Sequence, residues 1–130
     1  MEPIFLTEDQ VLRLHELAIQ DFGGSAFLRD AGLLDSAIAQ PESTFDDQYL
    51  HEDFFLMGAA YYYHISQNQP FSDGNKRTGK LCMQFFLEIN GFQLDAPVDT
   101  YYDMLIDVAE GRKTKQELAT YIEQNCSNNI

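Results

Sequence analysis

The sequence predicts an all-α fold, a single compact domain of about six helices. Apolar residues recur at helical spacing in six segments, and capping residues, glycines or prolines bound these segments. A hydrophobic fraction of 45% is enough for one core, and 130 residues are the length of one domain. We therefore assign residues 1–125 to the domain and expect residues 126–130 to form a frayed C-terminal tail.

The first half of the chain predicts two helices and an irregular segment. Thr7 and Gln10 form a capping box, and the helix that follows ends at the glycine pair 23–24. A short second helix covers residues 32–40 and ends before a proline. Residues 42–51 are mostly polar with two aromatic side chains, which predicts a loop or a small hairpin.

The second half predicts the core. Residues 52–68 are apolar on almost every side, which is typical of a central, buried helix. A tight turn at 70–74 leads into a second core helix over residues 75–90. The remaining predicted elements are a short extended piece at 92–94, a helix over 99–110 and a last helix that begins with the capping box of Thr114 and Glu117.

The charge balance excludes two classes of partner. Eight basic and 21 acidic residues give a net charge of −13, which repels nucleic acids and acidic membranes. No stretch is apolar and long enough to span a membrane, and Cys82 and Cys126 form no CxxC pair. We therefore expect a soluble, cytoplasmic protein with reduced thiols that binds neither nucleic acid nor membrane.

Basic residues cluster where a helix least favours them. Lys76, Arg77 and Lys80 lie in the first turns of the second core helix, whose N-terminal end carries a partial positive charge. Together with the backbone N–H groups of residues 74–76, they predict an anion site for nucleotide phosphates, with Asp73 as a Mg²⁺ ligand. The alternative is an ordinary turn in which Asp73 is only a helix N-cap.

The other basic and histidine residues predict structural roles. One further group of cations follows a helix C-terminus, where positive charge is favoured, and we expect it to be solvated: Arg112, Lys113 and Lys115. The histidines lack the spacing of a metal site, and we expect packing roles for them: His15, His51 and His64. His64 precedes Gln69 by about 140° of helical rotation, so we expect it to point away from the turn.

The turn belongs to a longer motif. The string QPFSDGNKR at residues 69–77 resembles the signature of the death-on-curing toxin branch of the Fic/Doc superfamily, which reads His-Pro-Phe-x-Asp-Gly-Asn-Lys-Arg. The resemblance extends to LTEDQVLRLH near the start, FGGS followed by RD at 22–30, GLLDSAIAQP at 32–41 and FFLEINGF at 85–92. It implies a helical fold with the motif loop between two central helices, and transfer of part of a nucleoside triphosphate to a hydroxyl of a target protein.

The resemblance also implies roles for individual residues. Phe71 is expected to anchor the loop in the core, Asp73 to hold Mg²⁺, and Gly74 and Asn75 to cradle the phosphates of ATP. Lys76 stands where adenylylating members usually have a second glycine, and it resembles members that transfer a terminal phosphate.

Two cations and a flap complete the expected site. Arg77 is expected to stabilise charge on the transferring phosphates. Lys80 stands at the second arginine of the pattern and keeps its charge but not its bidentate geometry. Residues 44–51 are the candidate for the flap that holds the target segment in family members. In this branch the target is expected among translation factors, and a cognate antitoxin is expected to bind near the active site.

One motif position departs from the family. Its first residue is a histidine that acts as general base, whereas Gln69 is neutral and non-basic. Losing a positioned base removes about 10²- to 10⁴-fold in rate, so we expect crippled activity with phosphate binding retained. The carboxylates of three residues stay open as alternative bases: Asp30, Asp35 and Glu52.

Gln69 has two origins that the sequence does not separate: a natural pseudoenzyme, or a substitution that disarms an active toxin. The intact remainder of the motif favours the second. We therefore predict a Doc-like toxin of a toxin–antitoxin pair that uses Mg²⁺ and ATP to phosphorylate a target hydroxyl and is impaired by Gln69. The alternatives are a protein adenylyltransferase, a catalytically inactive nucleotide- or partner-binding module, and a helical domain that binds no nucleotide.

Overall fold

Helices make up most of the fold in the computed structural model, which describes residues 2–128. Over that span there are six α-helices: α1 (Glu8–Phe22), α2 (Ala31–Ala39), α3 (Phe54–Asn68), α4 (Asn75–Ile89), α5 (Val98–Ala109) and α6 (Lys115–Gln124). Four short strands form two antiparallel pairs: β1 (Thr44–Phe45) with β2 (Gln48–Tyr49), and β3 (Phe92–Leu94) with β4 (Cys126–Asn128). The predicted all-α class is confirmed. None of the helices described within residues 2–128 has the length and apolar character to cross a membrane.

Local capping chemistry sets the helix starts. The Thr7 side chain accepts a hydrogen bond from Gln10 N, and the Gln10 side chain accepts one from Thr7 N, which confirms the capping box of α1. Thr114 and Glu117 form the same reciprocal pair at α6. These two helices begin where the sequence predicts because their caps involve neighbouring residues alone.

The structure adds detail to two segments in the first half of the chain. α2 ends at Ala39, within one residue of the predicted end, and a 3₁₀ helix, Gln40–Glu42, follows it with Pro41 buried. Proline fits this first turn because its fixed φ suits the turn and its missing N–H is not needed there. Between β1 and β2, Asp46 and Asp47 have φ of 54° and 62°, so of the two predicted forms, a loop or a small hairpin, the segment has the hairpin.

The C-terminal end is a strand where we expected a frayed tail. β4 pairs with β3 in the register Leu94 to Cys126, and Asp95 N donates to Asn125 O at 2.9 Å. The prediction was wrong for residues 126–128 because the pairing uses backbone groups and a partner about thirty residues earlier in the chain. Residues 129–130 of the expected tail lie outside the described residues.

α3 is the centre of the core, as predicted, and packs against α2, α4 and α6. Its two buried tyrosines have satisfied hydroxyls: Tyr61 Oη accepts from Leu6 N at 2.9 Å, and Tyr62 Oη donates to Leu105 O at 2.7 Å. Gly79 of α4 faces the α3 backbone so closely that a Cβ there would lie 3.1 Å from Tyr62 O. The two helices that flank the motif therefore meet backbone to backbone.

Candidate functional site

The motif loop, residues 69–74, joins the C-terminus of α3 to the N-terminus of α4. Gln69 caps α3 in the left-handed conformation, with φ 49° and ψ 58°, and its N–H donates to Ile65 O at 3.1 Å. Its side chain is exposed and makes no hydrogen bond within the described residues. Left-handed backbone is uncommon for residues other than glycine, but asparagine, aspartate and histidine adopt it more readily than most. The backbone at residue 69 therefore suits the histidine of the family signature.

A segment far away in sequence fixes the loop. Residues 24–30, which we name the brace segment, lie along it, and the N–H groups of Arg29 and Asp30 both donate to Pro70 O, at 2.8 and 3.0 Å. The Arg29 guanidinium also donates to Gln69 O, with its Nε at 3.1 Å. A cation on the last carbonyls of α3 is favoured by the helix dipole. The conformation of Gln69 thus depends on Arg29.

Asp73 is held through both its backbone and its carboxylate. Ser25 N donates to Asp73 Oδ2 at 2.9 Å, and His15 Nε2 donates to Asp73 O at the same distance. The His15 ring stacks on Phe71, with centroids 3.6 Å apart and 7° between the planes. Phe71 is 1% exposed, so its predicted anchoring in the core is confirmed. The carboxylate itself is exposed, and its Oδ1 has no hydrogen-bond partner among residues 2–128.

The first turn of α4 is open to an anion. Gly74, with φ 77°, caps the helix without a side-chain hydrogen bond, and no acidic residue lies in the first turn. The first helical bond runs from Thr78 N to Gly74 O, so the N–H groups of residues 75–77 have no partner in the described chain. The Asn75 side chain instead turns back to Phe71, accepting from its N–H at 3.0 Å and donating to its carbonyl at 2.9 Å. The Asn75 side-chain oxygen and one of its two amide N–H groups are thus used within the loop.

The three clustered cations face no acid. Within residues 2–128 no ion pair involves Lys76, Arg77 or Lys80, although the chain has a net charge of −13. The Arg77 guanidinium lies 4.6 Å from the centre of the Phe22 ring, and Lys80 Nζ lies 5.4 Å from that of Tyr101. All three border a cavity of about 360 Å³ whose other walls are apolar and aromatic residues, chiefly of α1, α3 and α5.

The chemistry of Asp73 fits Mg²⁺. Among the described residues no group of three or more His, Cys, Asp or Glu side chains is arranged to hold a metal. Mg²⁺ needs no such cage, because one or two carboxylates suffice when phosphates and water supply the other ligands. Asp73 offers one exposed oxygen beside the uncapped start of α4. Of the alternative bases, Asp30 caps α2 with its carboxylate, and no hydrogen bond joins Asp35 or Glu52 to the motif loop within residues 2–128.

Among the residues expected to have structural roles, the structure corrects one expectation, the solvation of Lys115. Arg112 is exposed and pairs with two acidic neighbours, as a solvated surface predicts. Lys115, expected to be solvated, is half-buried: its Nζ lies 2.9 Å from His51 Nε2 and 3.1 Å from His64 Nε2. Burial lowers the pKa of Lys115 and lowers that of His64 to about 4. His15 has the packing role expected of it, since it is buried and stacks on Phe71, and its contact with Asp73 O places that role at the motif loop.

Sequence reasoning missed four residues that contact the loop: His15, Gly24, Ser25 and Arg29. All four lie in strings that resemble the family. Their neighbours in the sequence give no indication of a contact some forty to sixty residues away, so only the resemblance could have singled them out.

Comparison with known proteins agrees with this geometry. The sequence model of the Fic/DOC family matches residues 5–87, which include the brace segment and the whole motif. The chain is also 36% identical to the protein named Toxin Doc from Mycolicibacterium smegmatis over 107 residues, which cover 81% of this chain and 80% of that protein. From its motif, its helical fold and these two matches, the chain belongs to the Fic/DOC family.

Proposed function

We propose that this protein is a Doc-like toxin of a toxin–antitoxin pair, built to transfer a phosphate from ATP to a hydroxyl of a target protein. The observation that carries the proposal is the start of α4, where free N–H groups, three cations and Asp73 lie together. The similarity to Toxin Doc supports the toxin class.

The start of α4 is suited to hold the phosphates. The N–H groups of residues 75–77 point along the positive end of the helix dipole, and Arg77 adds a donor fork that matches phosphate oxygens. Lys76 and Lys80 add charge without an acidic neighbour to neutralise it. Lys76, in the place of the second glycine of adenylylating relatives, favours transfer of the terminal phosphate.

Asp73 would hold the Mg²⁺ of the nucleotide through its exposed oxygen. When bound there, the ion would neutralise charge that develops on the transferring phosphate. Arg77 acts on the same charge from the helix side, and the N–H groups keep the phosphates in register with residue 69.

Gln69 limits the reaction at proton transfer. Its amide can donate and accept hydrogen bonds and so can orient a target hydroxyl, but it cannot take up the proton that the hydroxyl must lose. A missing general base costs about 3 to 5 kcal/mol of barrier, so we expect nucleotide binding with little turnover. Because Arg29 holds residue 69 through its backbone carbonyl, a histidine there keeps the same anchor.

The decisive experiment compares this chain with its Gln69→His variant. Each is incubated with a cell lysate, Mg²⁺ and ATP labelled at the α or the γ phosphate, and label on protein is counted. We expect γ label from the His variant alone. Label from the α position would make the protein an adenylyltransferase instead, and no label from either chain would contradict the enzyme and favour a binding module.

Two controls sharpen the result. Gln69→Asn has another amide at residue 69 and should stay inactive, and Asp73→Asn in the His variant should lose activity. Millimolar ATP and Mg²⁺ should raise the thermal unfolding temperature of the unmodified chain, since a ligand that binds only the folded state stabilises it. Absence of any shift would favour a helical domain that binds no nucleotide.

The proposal names two macromolecular partners. A cognate antitoxin would bind near the site, and the apolar cavity beside Lys76, Arg77 and Lys80 offers an uncovered surface for it. The target hydroxyl is expected on a translation factor, and the β1–β2 hairpin is the candidate flap that would hold the target segment. Mass spectrometry of the labelled protein in the lysate assay identifies the target and its modified residue.

A further inference from the structure

The backbone of Gly24 and Ser25 lies directly against the Asp73 carboxylate. Ser25 N donates to Oδ2 at 2.9 Å. A Cβ added to Gly24 would lie 3.1 Å from Asp73 Cβ and 3.4 Å from its Oδ2. Gly24 has φ 108°, a conformation that residues with side chains rarely adopt. The sequence thus provides a glycine where both the backbone angle and the close approach require one.

This contact makes the two oxygens of the Asp73 carboxylate different. Oδ2 is occupied by the Ser25 N–H, whereas Oδ1 has no hydrogen-bond partner in the described part of the chain. The backbone carbonyl of the same residue is held by His15 Nε2. Asp73 is therefore exposed to solvent yet fixed at two points, an arrangement that restricts its rotamer while leaving one oxygen available.

We propose that Gly24 and Ser25 are positioning residues for the metal: they hold Asp73 so that a single oxygen faces the Mg²⁺ of the bound nucleotide. The inference rests on the proposed function and adds to it the element that orients the metal ligand. Groups that orient metal ligands govern metal affinity because they remove the cost of ordering the ligand at binding.

The neighbouring glycine supplies a matched control. Gly23 also has a positive φ, 80°, but a Cβ there would meet nothing within 4 Å. Alanine therefore strains the backbone at either position, and only Gly24→Ala presses on Asp73. Ser25→Pro is a second variant, since it lacks the N–H that holds Oδ2, and Ser25→Ala keeps that N–H.

The test measures ATP affinity by calorimetry with and without Mg²⁺, so that it needs no catalysis. For Gly24→Ala and Ser25→Pro we expect the Mg²⁺-dependent gain in affinity to fall about tenfold or more, with metal-free ATP binding unchanged. For Gly23→Ala and Ser25→Ala the same gain should stay within about twofold of that of the unmodified chain, because neither variant removes a group that orients the metal ligand. Thermal unfolding of each variant verifies that it is folded.

The possible results distinguish failure of the positioning role from failure of the proposed function. Equal effects of Gly24→Ala and Gly23→Ala would overturn the positioning role, as would a parallel loss of metal-free ATP binding. An unmodified chain that binds ATP with no gain from Mg²⁺, and is unaffected by Asp73→Asn, would overturn the Mg²⁺ site and this inference together. The Mg²⁺-dependent gain in ATP affinity could also be lost in Asp73→Asn but kept in Gly24→Ala and Ser25→Pro. That result would support the Mg²⁺ site and refute only the positioning role of Gly24 and Ser25 in the brace segment.

Discussion

Replacing Gly79 with alanine tests whether backbone contact sets the spacing of α3 and α4. A Cβ at residue 79 would lie 3.1 Å from Tyr62 O and 3.2 Å from Tyr62 Cα, and neither atom can move without moving α3. Gly58, in the interior of α3, is the matched control. A Cβ there would meet only side-chain atoms, those of Leu87 at 3.4 Å and of Met83 at 3.5 Å, which are ordinary contact distances.

The expected difference between the two variants follows from these distances. Replacing a helix-interior glycine with alanine gains about 1 kcal/mol at either site, and this gain cancels in the comparison. Overpacking costs about 1–3 kcal/mol, and an obstacle made of backbone puts Gly79→Ala in the upper part of that range. We therefore expect Gly79→Ala to be less stable than Gly58→Ala by about 2–3 kcal/mol.

Urea unfolding followed by circular dichroism measures the difference directly, provided that both variants keep the same m-value. In the Gln69→His background, Gly79→Ala should also reduce the proposed phosphate transfer, because α3 ends at residue 69 and α4 begins at the proposed phosphate site. Two variants that agree within about 0.5 kcal/mol, the usual scatter of independent sites, would refute the reasoning.

Three further predictions concern the loop and the histidine cluster. Asn75→Ala should lower the free energy of unfolding by about 1–3 kcal/mol, because both hydrogen bonds to Phe71 are lost. The stability of Asn75→Asp should lie between those of the unmodified chain and Asn75→Ala, since aspartate keeps only the acceptor. Arg29→Ala should lower the free energy of unfolding by about 1 kcal/mol, because the hydrogen bonds to Gln69 O are lost, and Arg29→Lys should restore part of this loss. Acidification should destabilise the fold through His64, whose pKa of about 4 lies below the usual 6.5, so the unfolded chain takes up the proton first. The contribution of His64 to the free energy of unfolding is therefore complete above pH 6.5 and is lost as the pH falls toward 4. At pH 5 the loss is about 1 kcal/mol after allowance for the partial exposure of the ring. Urea unfolding at pH 7.5 and pH 5 measures all of these, and a pH dependence that His64→Gln leaves unchanged would contradict the last.

The sequence predicts the parts of this fold that local chemistry determines. The capping boxes of α1 and α6 and the apolar character of α3 each involve residues a few positions apart, and the structure has them where expected. The β4 strand and the half-buried position of Lys115 were missed for the opposite reason. Each depends on a partner from a distant element, β3 in one case and two histidines in the other.

The candidate site divides in the same way. Its chemical groups are adjacent in one string, so the motif predicts Asp73 and the cations together, and Phe71 lies in the core as the resemblance implies. The geometry that makes them usable comes from residues 15 and 24–30, whose contacts with the loop are tertiary. Asn75 illustrates the difference: its side chain, expected at the phosphates, is occupied in bracing the loop.

The start of α4 breaks a rule that the other helices of residues 2–128 follow. Four of them begin with a side-chain cap: Thr7, Asp30, Asp53 and Thr114. α5 lacks such a cap but has Asp99 in its first turn. α4 alone in this span has neither, and it adds cations to an end that already carries positive charge. The other five described α-helices have a side-chain cap or an acid in the first turn, and α4 has neither, so the fold gives up local stability at this one place. Violations of this kind concentrate at functional sites. An anion that binds there satisfies the N–H groups and the cations at once, which is why ligand-dependent stabilisation is the expected signature of this site.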